Sequence, residues 1–257
     1  FHHLLAYDHV QGAGTSTRPE WSGPYTSQSL FHEPLVLFGY LAGLTTTLEL
    51  VTAVLILPQR QTALVAKQAA QVDLLSGGRL RLGVGVGWNE VEYQGLNENF
   101  RNRGARSEEQ IALLRALWAA PEVSFVARWH TIENAGINPL PPRRSIPVWI
   151  GGYSEATIKR VGTHGDGWFP WRPPSDEMRA TIARMHGYAR EAGRNPATIG
   201  LEPQLSLARL PEDEWASFAR GWQALGATHL CVNTMGAGYS SLDAHIDVLR
   251  RVKAALG

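Results

Sequence analysis

Along the chain, short runs of β-branched and apolar residues alternate with longer stretches whose apolar positions recur every three or four residues. The short runs, at 3–9, 49–57, 79–87, 147–152, 167–170, 198–208 and 228–234, are punctuated by Gly, Pro or Asn and predict strands. Between them the helical period predicts helices over 33–44, 64–75, 107–119, 155–164, 176–192, 213–225 and 243–256. Val65, Ala69, Val72 and Leu75 form one apolar stripe, Ile111, Leu114 and Trp118 a second, and Ile246, Leu249, Val252 and Leu256 a third. Ser107, three residues before Gln110, reads as a capping pair, Ser175-Asp176 as another helix start, and Gly77, Gly193 and Gly226 as left-handed helix ends. A hairpin over 123–132, followed by the Pro- and Arg-rich loop 138–144, interrupts the alternation and reads as an active-site cover.

Alternation of strand and helix implies a parallel sheet, because parallel strands need a crossover. An open doubly wound sheet would carry a dinucleotide fingerprint after its first strand. None is present, and in Gly83-Val84-Gly85-Val86-Gly87 the third glycine falls at the wrong offset for one. The expected fold is therefore a single α/β domain over 1–257, a (β/α)₈ TIM barrel. Seven strand and helix units are countable, so a first strand and helix of about 20 to 30 residues are expected to be absent from this chain. The hairpin is then an insertion before the strand at 147–152.

Composition narrows the function. With 24 Lys+Arg against 23 Asp+Glu, the net charge of +1 lacks the basic excess of a protein that coats phosphate backbones, so no nucleic-acid partner is expected. The longest apolar stretch, 48–57, is about half the length of a membrane-spanning helix, so no membrane association is expected. Cys231 is the single cysteine, and the N-terminal residues do not read as a secretory signal, which together point to the cytoplasm. The nine histidines are scattered, and no metal site is expected.

In a barrel, chemistry sits where strands end. The first strand ends in Asp8-His9, a carboxylate beside an imidazole able to exchange protons near neutral pH. Small residues in the second strand, around Ala53-Val54, and the glycine face of the third, ending at Gly87, permit close approach of a flat ligand or of a neighbouring element. Gly151-Gly152-Tyr153-Ser154 opens a helix. Its backbone N–H groups and hydroxyl suit a phosphate, whereas the plainer reading makes Ser154 an ordinary N-cap. Trp21, Trp88 and Asn89 lie at expected rims, in or beside the loops 12–29 and 90–106, and are candidates for contact with a small-molecule substrate, although core filling is the default for tryptophan.

Two runs carry a resemblance. Leu64-Val65-Ala66-Lys67-Gln68 through Val72-Asp73-Leu74-Leu75-Ser76-Gly77-Gly78-Arg79-Leu80 to Gly87-Trp88, and Ile146-Pro147-Val148-Trp149-Ile150-Gly151-Gly152-Tyr153-Ser154 with Gly165-Asp166-Gly167-Trp168-Phe169-Pro170, resemble the bacterial luciferase-like monooxygenases. The likeness is greatest to the branch of coenzyme F420-dependent oxidoreductases. It implies a (β/α)₈ barrel with a deazaflavin at its mouth, reduced FMN being the alternative, and hydride exchange with a small organic substrate. It further implies a cis peptide at Ala53-Val54 backing the ring, Asp8 and His9 touching the ring with His9 catalytic, and the Gly151-to-Ser154 turn holding the cofactor phosphate. Sugar-phosphate dehydrogenases of the superfamily carry a proton-donating Glu directly after the glycines of this strand. Trp88 stands there instead, and Glu90 is offset. With FMN the same cleft would make a monooxygenase; a barrel that binds cofactor without turnover is a third reading. Dimers are common among members, and a homodimer is expected on that basis alone.

Overall fold

The computed structural model describes residues 1–257. The chain divides into two compact units, Phe1–Gly151 and Gly152–Gly257. In the first, β1 (His3–Ala6) is followed by α1 (Pro34–Leu44), β2 (Glu49–Thr52), β3 (Leu55–Ile56), α2 (Thr62–Ser76), β4 (Leu80–Gly85), α3 (Glu90–Gly95), α4 (Arg103–Ala119), the hairpin β5 (Val123–Val126) and β6 (Thr131–Ala135), and β7 (Val148–Gly151). The strands β1, β2, β4 and β7 pair in that order, all parallel, and β3 also pairs with β4. Every residue of β4 is buried, as expected of a strand covered on both sides. Its helices close over it with Phe38, Ala66, Ala69, Ile111 and Trp118, and the Trp118 indole is satisfied by the Ala66 carbonyl at 3.0 Å.

The second unit holds α5 (Glu155–His164), β8 (Gly167–Phe169), α6 (Asp176–Glu191), β9 (Gly200–Leu201), β10 (Gln204–Ser206), α7 (Trp215–Ala224), β11 (Cys231–Asn233) and α8 (Leu242–Leu256). There β8 pairs with β9 and β10 with β11, again in parallel. Leu205, Trp215, Val248 and Val252 form a buried cluster under α7 and α8. No helix of either unit is long and apolar enough to cross a membrane.

Several expectations change. The run 49–57 is two short strands separated by Ala53-Val54, and it ends in a 3₁₀ turn, Leu57–Gln59. The run 198–208 is likewise broken: Pro203, with no N–H to give a ladder, lies between β9 and β10. Helix α4 starts at Arg103, four residues early, so Ser107 and Gln110 are buried inside it rather than capping it. Gln110 spends its amide on the Leu57 and Arg60 carbonyls and on Thr62. Leu75 and Ile246 point outward, leaving Val65, Ala69 and Val72 on the buried side of α2 and Val248 and Val252 on that of α8. Ser175 does cap α6, accepting from the Met178 amide at 3.1 Å, and Gly77, Gly193 and Gly226 all have positive φ. Residues 90–95, expected as loop, form α3.

Candidate active site

Four segments of the first unit meet just beyond the ends of its parallel strands. The chain leaving β1 carries Asp8 and His9, and their surroundings assign them different tasks. Asp8 is buried, with Oδ2 accepting from the Ile56 amide at 2.9 Å and from Arg60 Nε at 3.3 Å, and Oδ1 accepting from Arg60 Nη2 at 2.8 Å. Both oxygens are thus used inside the protein, where they tie the end of β1 to β3. Burial works against the Arg60 charge, but the Asp8 and Glu33 carboxylates outweigh it and raise the guanidinium above its ordinary value.

His9 is held differently. Its Nδ1 lies 3.0 Å from Oε1 of Glu92, a carboxylate buried at the first turn of α3. The imidazole stands among Tyr25, Phe31 and Trp88, with ring centroids 4.9, 4.8 and 5.9 Å away. Its side chain retains 12% exposure, and Nε2 makes no hydrogen bond to the protein. Glu92 escaped the reading of the sequence because 90–106 was expected to be irregular. The signal was available: Asn89-x-x-Glu92 has the spacing of a helix start, and Asn89 does cap α3, accepting from the Val91 amide at 3.2 Å. The Glu92 side chain then turns to His9 instead of closing the cap.

The peptide between Ala53 and Val54 is cis, at the bond where the resemblance places it. Val54 fills the space left by the neighbouring glycines. A Cβ on Gly85 would stand 2.5 Å from Val54 Cγ2, and one on Gly151 would stand 2.9 Å from Val54 Cγ1. Gly87 has φ +66°, and a Cβ there would meet Ile56 at 2.8 Å. Of the two readings of the glycine face, close approach of a neighbouring element is therefore the one observed, by Val54 at Gly85 and by Ile56 at Gly87.

Trp21, Trp88 and Asn89 do come together. They line one groove of about 590 Å³ with Arg18, Glu20 and Gln94. The two indoles lie 5.8 Å apart, and Gly23 admits both, since a Cβ there would be 2.6 Å from each ring. His9 does not line this groove; Trp88 is the wall between them. Asn89 is buried and engaged as the α3 cap, whereas Trp88 is exposed and Trp21 half-buried.

In the second unit, the Gly152-Tyr153-Ser154 turn opens α5. Ser154 Oγ accepts from the Thr157 amide at 3.2 Å and lies 2.9 Å from Thr157 Oγ1, so the hydroxyl caps the helix. The Glu155 and Ala156 amides lie in the first turn, where no carbonyl of the helix can reach them. The Gly152 carbonyl is fixed by the Trp168 indole at 2.9 Å. Arg172 lies over the Tyr153 ring at 4.8 Å. Burial pushes the Tyr153 phenol well above its ordinary value, only partly offset by that guanidinium.

Residues 11–248 match the luciferase-like monooxygenases. The chain belongs to that family. Among relatives, an uncharacterized protein of Mycobacterium tuberculosis is 32% identical over 191 residues, 74% of this chain and 65% of its own length. A phthiodiolone/phenolphthiodiolone dimycocerosates ketoreductase of the same species is 33% identical over 174 residues, covering 65% of this chain and 45% of that one. The chain thus spans about two thirds or less of the curated relatives it matches. Among solved luciferase-like folds, a monooxygenase of Streptomyces bottropensis superposes with a TM-score of 0.67 at 20% identity, over 99% of this chain and 72% of the other. An F420-dependent secondary alcohol dehydrogenase bound to an F420-acetone adduct gives 0.67 at 18% identity, over 99% and 82%.

Proposed function

We propose that this chain is an oxidoreductase that moves a hydride between a deazaflavin, coenzyme F420, and a small substrate interconverting between carbinol and carbonyl. The observation that carries the reading is His9, an imidazole oriented by Glu92 through Nδ1 with Nε2 unengaged beside three aromatic rings. Support for the substrate class comes from the ketoreductase relative and the alcohol dehydrogenase fold, which both act on that pair of groups by name.

The residues present fit such a cofactor. In the first unit, Val54 packed against Gly85 and Gly151 leaves an apolar surface with few other side chains, suited to one face of a planar ring. The cofactor supplies a ring carbon that takes or gives two electrons as hydride. In the oxidising direction His9 Nε2 would take the hydroxyl proton of the carbinol as its carbon gave hydride to the bound cofactor, leaving a carbonyl, and in reduction His9 would return that proton. Trp88, which borders both His9 and the groove it lines with Trp21, contacts the substrate body, and Asp8 positions β3 through Arg60 and the Ile56 amide instead of touching the ring. The TIM-barrel type of fold belongs to the same proposal, on the strength of the family and the parallel order β1-β2-β4-β7.

Reconstitution decides the cofactor. The expected result is tight binding of F420, followed by bleaching of its visible absorbance on adding a secondary alcohol, and loss of that bleaching in His9→Ala. Binding of FMN with no binding of F420, accompanied by oxygen consumption, would replace this reading with the monooxygenase one. Binding of F420 with no turnover of any carbinol or carbonyl, unchanged in His9→Ala, would make the chain a cofactor carrier.

A further inference from the structure

Three groups converge on the buried Glu92 carboxylate. The Gln11 backbone N–H reaches Oε1 at 3.3 Å, Gln59 Nε2 reaches Oε2 at 3.3 Å, and His9 Nδ1 lies 3.0 Å from Oε1. A backbone N–H can only donate, and the Gln59 amide as placed also donates, so each oxygen faces a donor, as a carboxylate requires. The His9 contact then places the hydrogen on Nδ1.

The surroundings leave the ring little freedom to turn over. Tyr25 and Phe31 lie within 5 Å of it on centroid distances of 4.9 and 4.8 Å, and Tyr25 packs edge-on against Phe31. Turning the ring over would put Cδ2 in place of Nδ1 and leave Oε1 of the buried carboxylate with the Gln11 N–H alone, the loss of a hydrogen bond to a charged group.

We infer that Glu92 holds His9 as the Nδ1–H tautomer and so keeps Nε2 bare to accept a proton, which makes Glu92 the positioning residue of this site. The inference rests on His9 being the proton-handling group of the proposed reaction. A carboxylate that fixes one imidazole nitrogen decides which lone pair the other presents.

The test uses the full chain labelled with ¹⁵N at histidine, and long-range ¹H–¹⁵N spectra recorded at alkaline pH without cofactor. A His9→Gln variant assigns the His9 signals among the nine histidines. Wild type is expected to show Nδ1 protonated and Nε2 bare. Glu92→Gln is expected to keep that pattern, because its amide oxygen can still accept from Gln11 and His9. Gln59, whose Oε1 is buried without a partner, can turn to receive the new amide hydrogens. Glu92→Ala is expected to shift His9 to the Nε2–H form. A wild-type spectrum with hydrogen on Nε2, or an alanine variant that retains Nδ1–H, overturns the inference, and the wild-type and glutamine spectra decide it even if the alanine variant fails to fold. In turnover with F420, Glu92→Ala should lower kcat on the order of 10- to 100-fold with little change in KM, and Glu92→Gln should recover most of the loss. Turnover indifferent to Glu92→Ala overturns the positioning role and leaves the redox reading standing. The expected spectra in a protein that turns over with neither cofactor would sink the redox reading alone and leave the tautomer assignment intact.

Discussion

Val54 is a point where packing and backbone constrain each other. Its two methyl groups occupy the volume that a side chain on Gly85 or Gly151 would need. A β-branched side chain has little rotamer freedom with which to retreat, so Gly85→Ala should cost about 1–3 kcal/mol in chemical denaturation. Part of that cost should disappear in a Val54→Ala background, giving a coupling of about 1 kcal/mol in the double-mutant cycle. Arg60 offers a contrast in magnitude. Its pair with Asp8 is nearly dry, so Arg60→Met should destabilise by about 3 kcal/mol. Its pair with Glu33, whose side chain is 34% exposed, is screened, and Glu33→Gln should cost under about 1 kcal/mol in the same measurement. Asp8 and His9 were both legible in the sequence as chemistry-bearing residues. Their division of labour was not, because it depends on Arg60 and Glu92, which lie 52 and 83 positions away.

Among the elements, the hairpin β5–β6 shows how an insertion is fastened. Glu109 on α4 accepts from the Arg128 and Trp129 amides at 3.1 and 2.9 Å and meets His130 Nδ1 at 2.7 Å, while His130 Nε2 meets Thr62 of α2 at 2.6 Å. Desolvation opposes the Glu109 charge, but the His130 hydrogen bond and the two amides outweigh it and lower its pKa below the ordinary 4.5. A carboxyl whose folded pKa is depressed contributes stability that is complete above its unfolded value and lost as pH falls through the folded one. Protection of the Arg128 and Trp129 amides in hydrogen exchange should therefore hold down to about pH 4.5 and decay below it. Glu109→Gln should remove most of that pH dependence; a wild-type profile flat from pH 6 to 3 would show that Glu109 is not the latch. The hairpin itself was predictable from alternation, and it extends three residues further than expected, to Ala135. What fastens it was not predictable, since Glu109 reads in sequence as a solvated helix residue.

At the scale of the whole molecule, α1 departs from the usual two-faced surface helix. It contains no charged residue, and Val36 and Tyr40 on its outer side are 71% and 68% exposed, in line with Leu44. With a net charge of only +1 there is little repulsion to keep copies apart. Val36→Lys with Tyr40→Lys should shift the unfolding free energy by no more than about 0.5 kcal/mol in chemical denaturation, because those side chains bury little. Hydropathy period and glycine punctuation were enough to set out the order of most strands and helices and their parallel pairing, and two runs of residues carried the resemblance to the family, because each is written in neighbouring residues. Where the run 49–57 divides, why Gly85 and Gly151 carry no side chain, and which carboxylate reaches His9 were decided only by tertiary structure. Those features arise from contacts between segments distant along the chain, in which volume and hydrogen-bond direction must be satisfied together, and no local pattern encodes a partner that folding alone brings near.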